Sequence, residues 1–407
     1  GEPSEPPRAE RPSDRAPSVA VAAAAHGDAS VSDDYGAVSI AVNPAATAAP
    51  DTALSTLEWA KFNSTTSAIE SPNPGEGTCD GWCSNTTYNL PQSRRGHSMV
   101  AYNGYLYVIG GVDGSGNRTS TVYIAKLGAN GEPQLWHPTD TNKDNWVYWY
   151  SDSGLNSGTA KSYLSVVAYN NRMYILGGQT NASPGGVNTS EYADIRPNGT
   201  LGSWTSGTNL PSVRHGHTTH MYNDVLYLVG GNSNGTLQNT LNYVKINSDG
   251  SMNSWQSGAN FTTARSTWGG SYSTIWGAYI YLSGGCTAVN GSGYCTSYAN
   301  DTQIGSINAD GSVSGWRSVT GLLNSRIGYN MIAWQGGLYR LGGCTEQSTS
   351  SGVCLSTLAD VDYGVINPSG EVSTVNITVP SGTAPCSGGT PYDCDLAPVG
   401  DNAGQGG

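Results

Sequence analysis

The stretch Ser98-Met-Val-Ala-Tyr-Asn-Gly-Tyr-Leu-Tyr-Val-Ile-Gly-Gly111 decides the fold. Two apolar runs flank an Asn-Gly dipeptide, the strongest short-range signal for a two-residue hairpin turn. The second run ends on Gly110-Gly111, and the same ending recurs at Gly177-Gly178, Gly230-Gly231, Gly284-Gly285 and Gly342-Gly343. The matching hairpins turn at Asn170-Asn171, Asn223-Asp224, Trp276-Gly277 and Gln335-Gly336. A second hairpin follows each glycine pair, turning at Asn130-Gly131, Asn198-Gly199, Asp249-Gly250, Asp310-Gly311 and Ser369-Gly370. It ends at Trp136, Trp204, Trp255 and Trp316, with Val375 in the fifth place. Two hairpins make four strands, and four strands repeated at intervals of 53 to 67 residues make the blades of an all-β propeller.

These residues resemble the kelch repeat, whose blade carries a basic or small residue, a hairpin, Gly-Gly and a later Trp. The resemblance covers roughly residues 92–378. It implies a kelch-type β-propeller, a platform used by binding modules and by a few enzymes. Five blades are clear. Val38-Ser-Ile-Ala-Val-Asn-Pro44 and Thr56-Leu-Glu-Trp59 read as the outer two strands of a sixth, with no Gly-Gly hairpin in the chain to complete it. The organisation expected is a Pro/Ala-rich arm or linker over 1–34, the propeller over 35–378 and a Gly/Pro-rich, disulfide-containing tail over 379–407. A five-bladed ring with an accessory N-terminal hairpin is the alternative. A third arrangement completes the ring with a strand from a neighbouring molecule, which would make the chain a filament or lattice subunit.

Composition narrows the setting. Charged residues are 12% of 407, and the formal net charge is −12. That balance speaks against nucleic acid and anionic membrane surfaces as partners, and no apolar run is long enough for a membrane span. The eight cysteines fall into sequence-adjacent pairs: Cys79/Cys83, Cys286/Cys295, Cys344/Cys354 and Cys386/Cys394. Two pairs follow the Gly-Gly of blades four and five directly, which reads as local disulfides in an oxidising compartment. No zinc-type Cys/His spacing accompanies them. The chain has no initiator Met and reads as a processed, secreted or cell-surface protein. Eleven Asn-x-Ser/Thr sequons, at Asn63, Asn85, Asn117, Asn181, Asn188, Asn198, Asn234, Asn260, Asn290, Asn300 and Asn376, are acceptors for N-glycosylation in a host that has the machinery.

Loop lengths distinguish the two faces. The first-to-second and third-to-fourth strand turns are uniformly tight, whereas the second-to-third and blade-to-blade connections carry every long segment. Function concentrates in long loops on rigid scaffolds. Two insertions enlarge the connections around the first blade. One holds Trp82 in a Cys-stapled loop, and the other carries Trp146 and Trp149, aromatics that either fold over the blade edge as a small satellite core or form a patch for stacking on a sugar or a protein.

Register brings a second constellation together. Arg94, Lys161, Arg214, Arg265 and Arg326 precede the glycine pairs at one recurring position, and His97, Leu164, His217, Trp268 and Tyr329 follow three residues later. Both sets begin the innermost strands, so the expectation is a basic ring at the channel mouth that would take an anionic sugar or an acidic peptide. In ordinary kelch scaffolding the same basic residue is structural.

Catalysis has less support. A galactose-oxidase-like copper site would need a His/Tyr set and a Tyr-Cys cross-link, and the cysteines are accounted for in pairs. An epimerase using Arg and His near the channel remains the enzymatic alternative. The sequence therefore points to a non-catalytic surface protein without cofactor or metal. Its partner would be a glycan, an extracellular protein or further copies of itself.

Overall fold

The computed structural model describes residues 86–375 apart from 129–130, 153, 156–157, 268–270, 320–324, 335 and 350–353, together with five short N-terminal strands. It is all-β, with five four-stranded antiparallel blades. Blade one is Ser98–Tyr102, Tyr105–Ile109, Val122–Leu127 and Pro133–Gln134. Blade two is Ser165–Tyr169, Arg172–Leu176, Ser190–Asp194 and Thr205–Ser206. Blade three is Thr218–Tyr222, Val225–Val229, Leu241–Lys245 and Gln256–Ser257. Blade four is Ser273–Trp276, Tyr279–Ser283, Thr302–Ile307 and Val313–Val319. Blade five is Asn330–Trp334, Gly337–Gln347, Cys354–Ile366 and Val372–Val375.

Before blade one, Val38–Ala41 pairs antiparallel with Glu58–Phe62, as the outer two strands of a blade would. Ile69–Glu70 and Cys83–Ser84 add to Glu58–Phe62. A separate two-residue strand, Ala29–Ser30, runs parallel to the innermost strand of blade one, with Ala29 opposite Met99 and Ser30 opposite Val100.

The tight turns follow from backbone preference. Asn103, Asn170, Asn171, Asn223 and Asp224 all have φ between +46° and +61°, the left-handed region that Asn and Asp tolerate and a hairpin turn of this type requires. The core lies between blades rather than within them. Val100, Ile109 and Val122 of blade one pack with Leu164, Val166 and Ile175 of blade two. Leu226 and Leu228 of blade three meet Tyr174 and Leu176 of blade two, and one cluster joins blades three, four and five.

One feature differs from the sequence-based expectation. The aromatic insertion does not lie in a blade-to-blade connection. It interrupts the outermost strand of blade one: Pro133–Gln134 pairs with the end of Val122–Leu127, and Tyr150–Asp152 returns to pair with its start. Trp149 is buried and its indole N–H donates to the Tyr88 carbonyl at 2.7 Å, while Trp146 is half-buried and donates to the Asp140 carbonyl at 3.0 Å. The insertion is a small satellite core against the blade edge.

The disulfide expectation is met at Cys286–Cys295, whose Cα atoms lie 5.7 Å apart, and Cys344 is also disulfide-bonded. Cys79, Cys386 and Cys394, like Trp82 and Trp268, lie outside the described residues, as do the side chains of Cys83 and Cys354.

Candidate functional site

The basic residues are buried in the seams between blades. Arg94, Lys161, Arg214, Arg265 and Arg326 are each at most 2% exposed. Arg94, Arg214 and Arg265 donate through Nη1 to the carbonyl of the first glycine of their own blade: Gly110 at 2.8 Å, Gly230 at 3.1 Å and Gly284 at 2.7 Å. Burial pulls the Arg214 guanidinium down to about 10. Lys161 instead donates to Thr189 and Glu191. Arg265 also binds both oxygens of Asp301. Arg326 shares Asp362 with Arg340, a buried cation on the second strand of blade five that the register alone did not suggest. The guanidinium contacts are thus directed at the scaffold, not displayed around a channel mouth.

The backbone at the same positions stitches the ring together. The second glycine of each blade donates its N–H to the carbonyl of the next blade's basic residue: Gly111 to Lys161, Gly178 to Arg214 and Gly231 to Arg265 at 2.8 Å, and Gly285 to Arg326 at 3.1 Å. Glycine is required here. Gly110 and Gly111 have φ of +63° and +96°, and a Cβ on Gly110 would stand 2.5 Å from the Lys161 carbonyl. The residues three positions on from the basic ones fill the same seams. His97, Leu164, His217 and Tyr329 pack on the second glycine of their own blade, and Leu164, His217 and Tyr329 also reach the first glycine of the preceding one.

In blade four the seam is filled by Tyr272, where the spacing had suggested Trp268. Its hydroxyl donates to the Val229 carbonyl at 2.7 Å, as Tyr329 does to Ser283; the blade's inserted residues shift the alignment. His217 is fully buried, and burial first, then Arg214 and His215, hold its imidazole well below the ordinary value.

Long loops converge elsewhere, on the face opposite the tight turns. The second-to-third connections of blades two, three and four stand side by side. Asn234 donates its N–H to the Gly185 carbonyl. The blade-three hairpin Asn232–Ser233/Thr236–Leu237 lies beside the disulfide-closed hairpin Cys286–Val289/Cys295–Tyr298 of blade four. Asn290 Nδ2 then reaches the Thr349 carbonyl of blade five at 2.6 Å, and Gln347 Oε1 accepts from the Cys295 N–H. Between these loops lies a cleft of about 520 Å³ whose wall includes Gln179, His215, Asn232, Thr236, Asn290 and Ser292.

The cleft continues inward to a small pocket where Tyr163 and Thr267 join Gln179, His215 and Asn232. Here a backbone girdle links successive innermost strands: Tyr163 N–H to the Gly96 carbonyl, Gly216 to Tyr163, and Thr267 to Gly216. Gly96, Gly216 and Gly328 have φ near +60° at this recurring position, and Tyr163 holds φ +52° at the same place. A bulky residue in the left-handed region marks stored strain, which collects at functional sites.

The inner end of the cleft is braced by Arg118, which donates to Ser162 Oγ, Asn181 Oδ1 and Gln179 Oε1 at 2.9 to 3.1 Å. Gln179 Nε2 lies 3.3 Å from His215 Nε2. Burial, followed by Arg118, pushes the His215 imidazole down to about 4, so it is neutral at physiological pH. Among the described residues the lining contains no Asp, Glu, Lys or Arg. Among the described residues no group of three or more His, Cys, Asp or Glu is arranged to hold a metal, and no helix is long and apolar enough to cross a membrane.

Of the sequons, Asn117, Asn181, Asn234, Asn260 and Asn300 are exposed, and Asn188, Asn198 and Asn290 are half-buried. Asn63, Asn85 and Asn376 lie outside the described residues. Asn290 already uses its amide on Thr349 and its carbonyl oxygen on the Ser292 and Tyr294 N–H groups.

Five blades joined in this manner define a β-propeller whose second-to-third loops gather on one face. Comparison with known proteins gives its kind. Residues 78–249 match the model of the KLHDC2/KLHL20/DRC7 Kelch-repeats domain. Kelch-like protein 36 of Rattus norvegicus is 25% identical over 273 residues, 66% of this chain and 38% of the relative. Kelch repeat protein M-T8 of Myxoma virus (strain Lausanne) is 27% identical over 143 residues, 35% of this chain and 23% of the relative. The chain thus spans well under half the length of these curated relatives. The solved structure of YjhT superposes with a TM-score of 0.55 at 15% identity, covering 81% of this chain and 96% of that one, which shows the shared fold. The chain is a kelch-repeat β-propeller.

Proposed function

We propose that this propeller is a non-catalytic binding protein of the cell surface or extracellular space, which engages a glycan or protein partner through its long-loop face. The observation that carries the reading is the cleft formed by three consecutive second-to-third loops, rigidly joined to one another and to blade five. Kelch domains commonly serve as interaction scaffolds, and a disulfide-closed loop in the wall suits an oxidising compartment.

The reading is tested by presenting the full chain to arrays of glycans and extracellular proteins beside two variants. Thr236→Trp fills the cleft from an exposed position, and Lys245→Ala changes an exposed residue beside the tight-turn face. Binding lost in the first and kept in the second supports the reading; the reverse overturns it.

A second reading, self-assembly through the N-terminal arm, is favoured by Ala29–Ser30 lying as an added strand on blade one. An arm that adds a strand within its own chain can add it to a neighbour. Light scattering of the full chain over a concentration range checks this. Growth in mass that Ala29→Pro/Ser30→Pro abolishes supports it, and a monomer at every concentration rejects it.

A further inference from the structure

Resting on the binding role proposed above, we infer that the cleft over blades two to four takes a neutral, polyhydroxylated ligand, a saccharide without carboxylate or sulfate groups. The cleft presents the Asn232 amide N–H₂ and the Thr236 and Ser292 hydroxyls, flanked by the internally bonded amides of Gln179 and Asn290, and among the described residues its lining carries no formal charge. His215 adds a neutral imidazole. The described lining offers an anionic sugar no ion-pair partner, and Arg118, whose charge is felt at His215, directs its guanidinium N–H groups to Ser162, Gln179 and Asn181. The cations expected to meet an acid are sealed in the seams. Burying an ion against groups that cannot neutralise it is costly.

A peptide is served less well. Peptide grooves supply apolar pockets for alternate side chains or an open strand edge, whereas this cleft presents glycines and short polar side chains. Its volume falls in the usual range for small-molecule sites, where a few placed polar groups set specificity.

Preorganisation supports the same assignment. Asn232 is 4% exposed and its Oδ1 accepts the Gly235 N–H at 2.7 Å, so this side chain is fixed before a ligand arrives. Asn290 is held by Thr349, Ser292 and Tyr294. Fixed amides lower the entropy cost of holding a weakly binding neutral ligand. At the inner end the pocket beside Tyr163 narrows to about 10 Å³, room for about one water, so the saccharide is held in the outer cleft.

The test is saturation-transfer NMR and calorimetry of the full chain with lactose, N,N′-diacetylchitobiose and mannotriose, with 3′-sialyllactose as the acidic comparison. Thr236→Trp and Ser292→Trp, both at exposed positions, narrow the cleft from opposite walls, and unchanged melting curves verify their fold. Binding of at least one neutral saccharide, weakened tenfold or more by either variant, is the expected result. Binding of sialyllactose alone overturns the inference, as does neutral-sugar binding that both variants leave intact. If no sugar binds but a protein on the array is lost with Thr236→Trp, the saccharide assignment falls and the long-loop face stands. If binding maps to neither, both fall.

Discussion

Replacing Gly110 with alanine tests whether the glycine pairs are the seams of the ring. Two separable costs arise. Gly110 holds φ +63°, and placing a Cβ residue there costs about 1 kcal/mol. The second cost is steric: the new Cβ would lie 2.5 Å from the Lys161 carbonyl and 3.0 Å from Leu164 Cδ2. The first contact is backbone of the next blade, so the seam must open. Opening it weakens the Gly111-to-Lys161 bond at 2.8 Å and the Arg94-to-Gly110 bond at 2.8 Å, each a contribution of roughly 1 kcal/mol. With the overpacking, the loss sums to about 4–6 kcal/mol.

Gly104 is the control within the same blade. It has φ +77° and nothing within 4 Å of its would-be Cβ, so Gly104→Ala carries the φ cost alone, about 1 kcal/mol. Urea denaturation followed by tryptophan fluorescence reads both variants. Losses of similar size would refute the seam reasoning, because they would leave backbone conformation as the whole effect.

Further outcomes follow from the same geometry. Lys161→Met strands the buried Glu191 carboxylate and costs about 3–5 kcal/mol; adding Glu191→Leu recovers most of that, and a double variant no more stable than the single would refute the pairing. Tyr227→Phe removes the hydroxyl that donates to the Gly311 carbonyl of the next blade at 2.9 Å and lowers stability by about 1 kcal/mol, read from the urea midpoint. Stability should also fall as pH drops from about 6.5 toward 4. His215 and His220 are held by burial down to about 4 and about 3, so over that window the unfolded chain binds protons that the native chain refuses. His220→Asn should flatten the profile, and a wild-type midpoint constant from pH 7 to 4.5 would reject this account.

The fold was legible because its information is periodic. Each hairpin turn is announced by Asn, Asp or Gly, and each seam by a glycine pair, so the inner hairpins survive comparison nearly residue for residue, whereas the outermost strands of blades two and three begin after Trp204 and Trp255 instead of ending there. A further periodic signal lay in plain view. Tyr107, Tyr174, Tyr227, Tyr281 and Tyr339 each stand three residues before the first glycine of a pair. The hydroxyls of the first four donate to Gly199, Gly250, Gly311 and Gly370, the glycines in the third-to-fourth turns of the following blades. Burial raises Tyr174 to about 12 and raises Tyr227 and Tyr281 as well. The indoles of Trp204, Trp255 and Trp316 make equivalent ties to the preceding connections at Gly154, Thr208 and Ala259.

The cleft was not legible in the same way. Its walls come from loops with no common length or motif, and they meet only once the blades fix their spacing. Tyr163 could have been found from the register, since it replaces the glycine that Gly96, Gly216 and Gly328 supply in other blades. Its meaning needed the φ value. The basic residues teach the opposite lesson: their recurrence looked like a designed charge ring, yet recurrence at a fixed distance from a glycine pair is what a repeated structural bond produces.

That contrast indicates where the proposed binding role would find its selectivity. A residue that every blade repeats is constrained by the blade-to-blade bond it makes, and changing it opens a seam before it alters any ligand. A residue that breaks the repeat is released from that constraint, as Tyr163 does at a glycine position and as the disulfide-closed hairpin of blade four does beside the plain loops of blades two and three. Both departures lie on the same face, and Gln179, His215 and Asn232 belong to both the cleft and the inner pocket beside Tyr163. The irregular positions therefore converge on one site that the regular positions only hold in place.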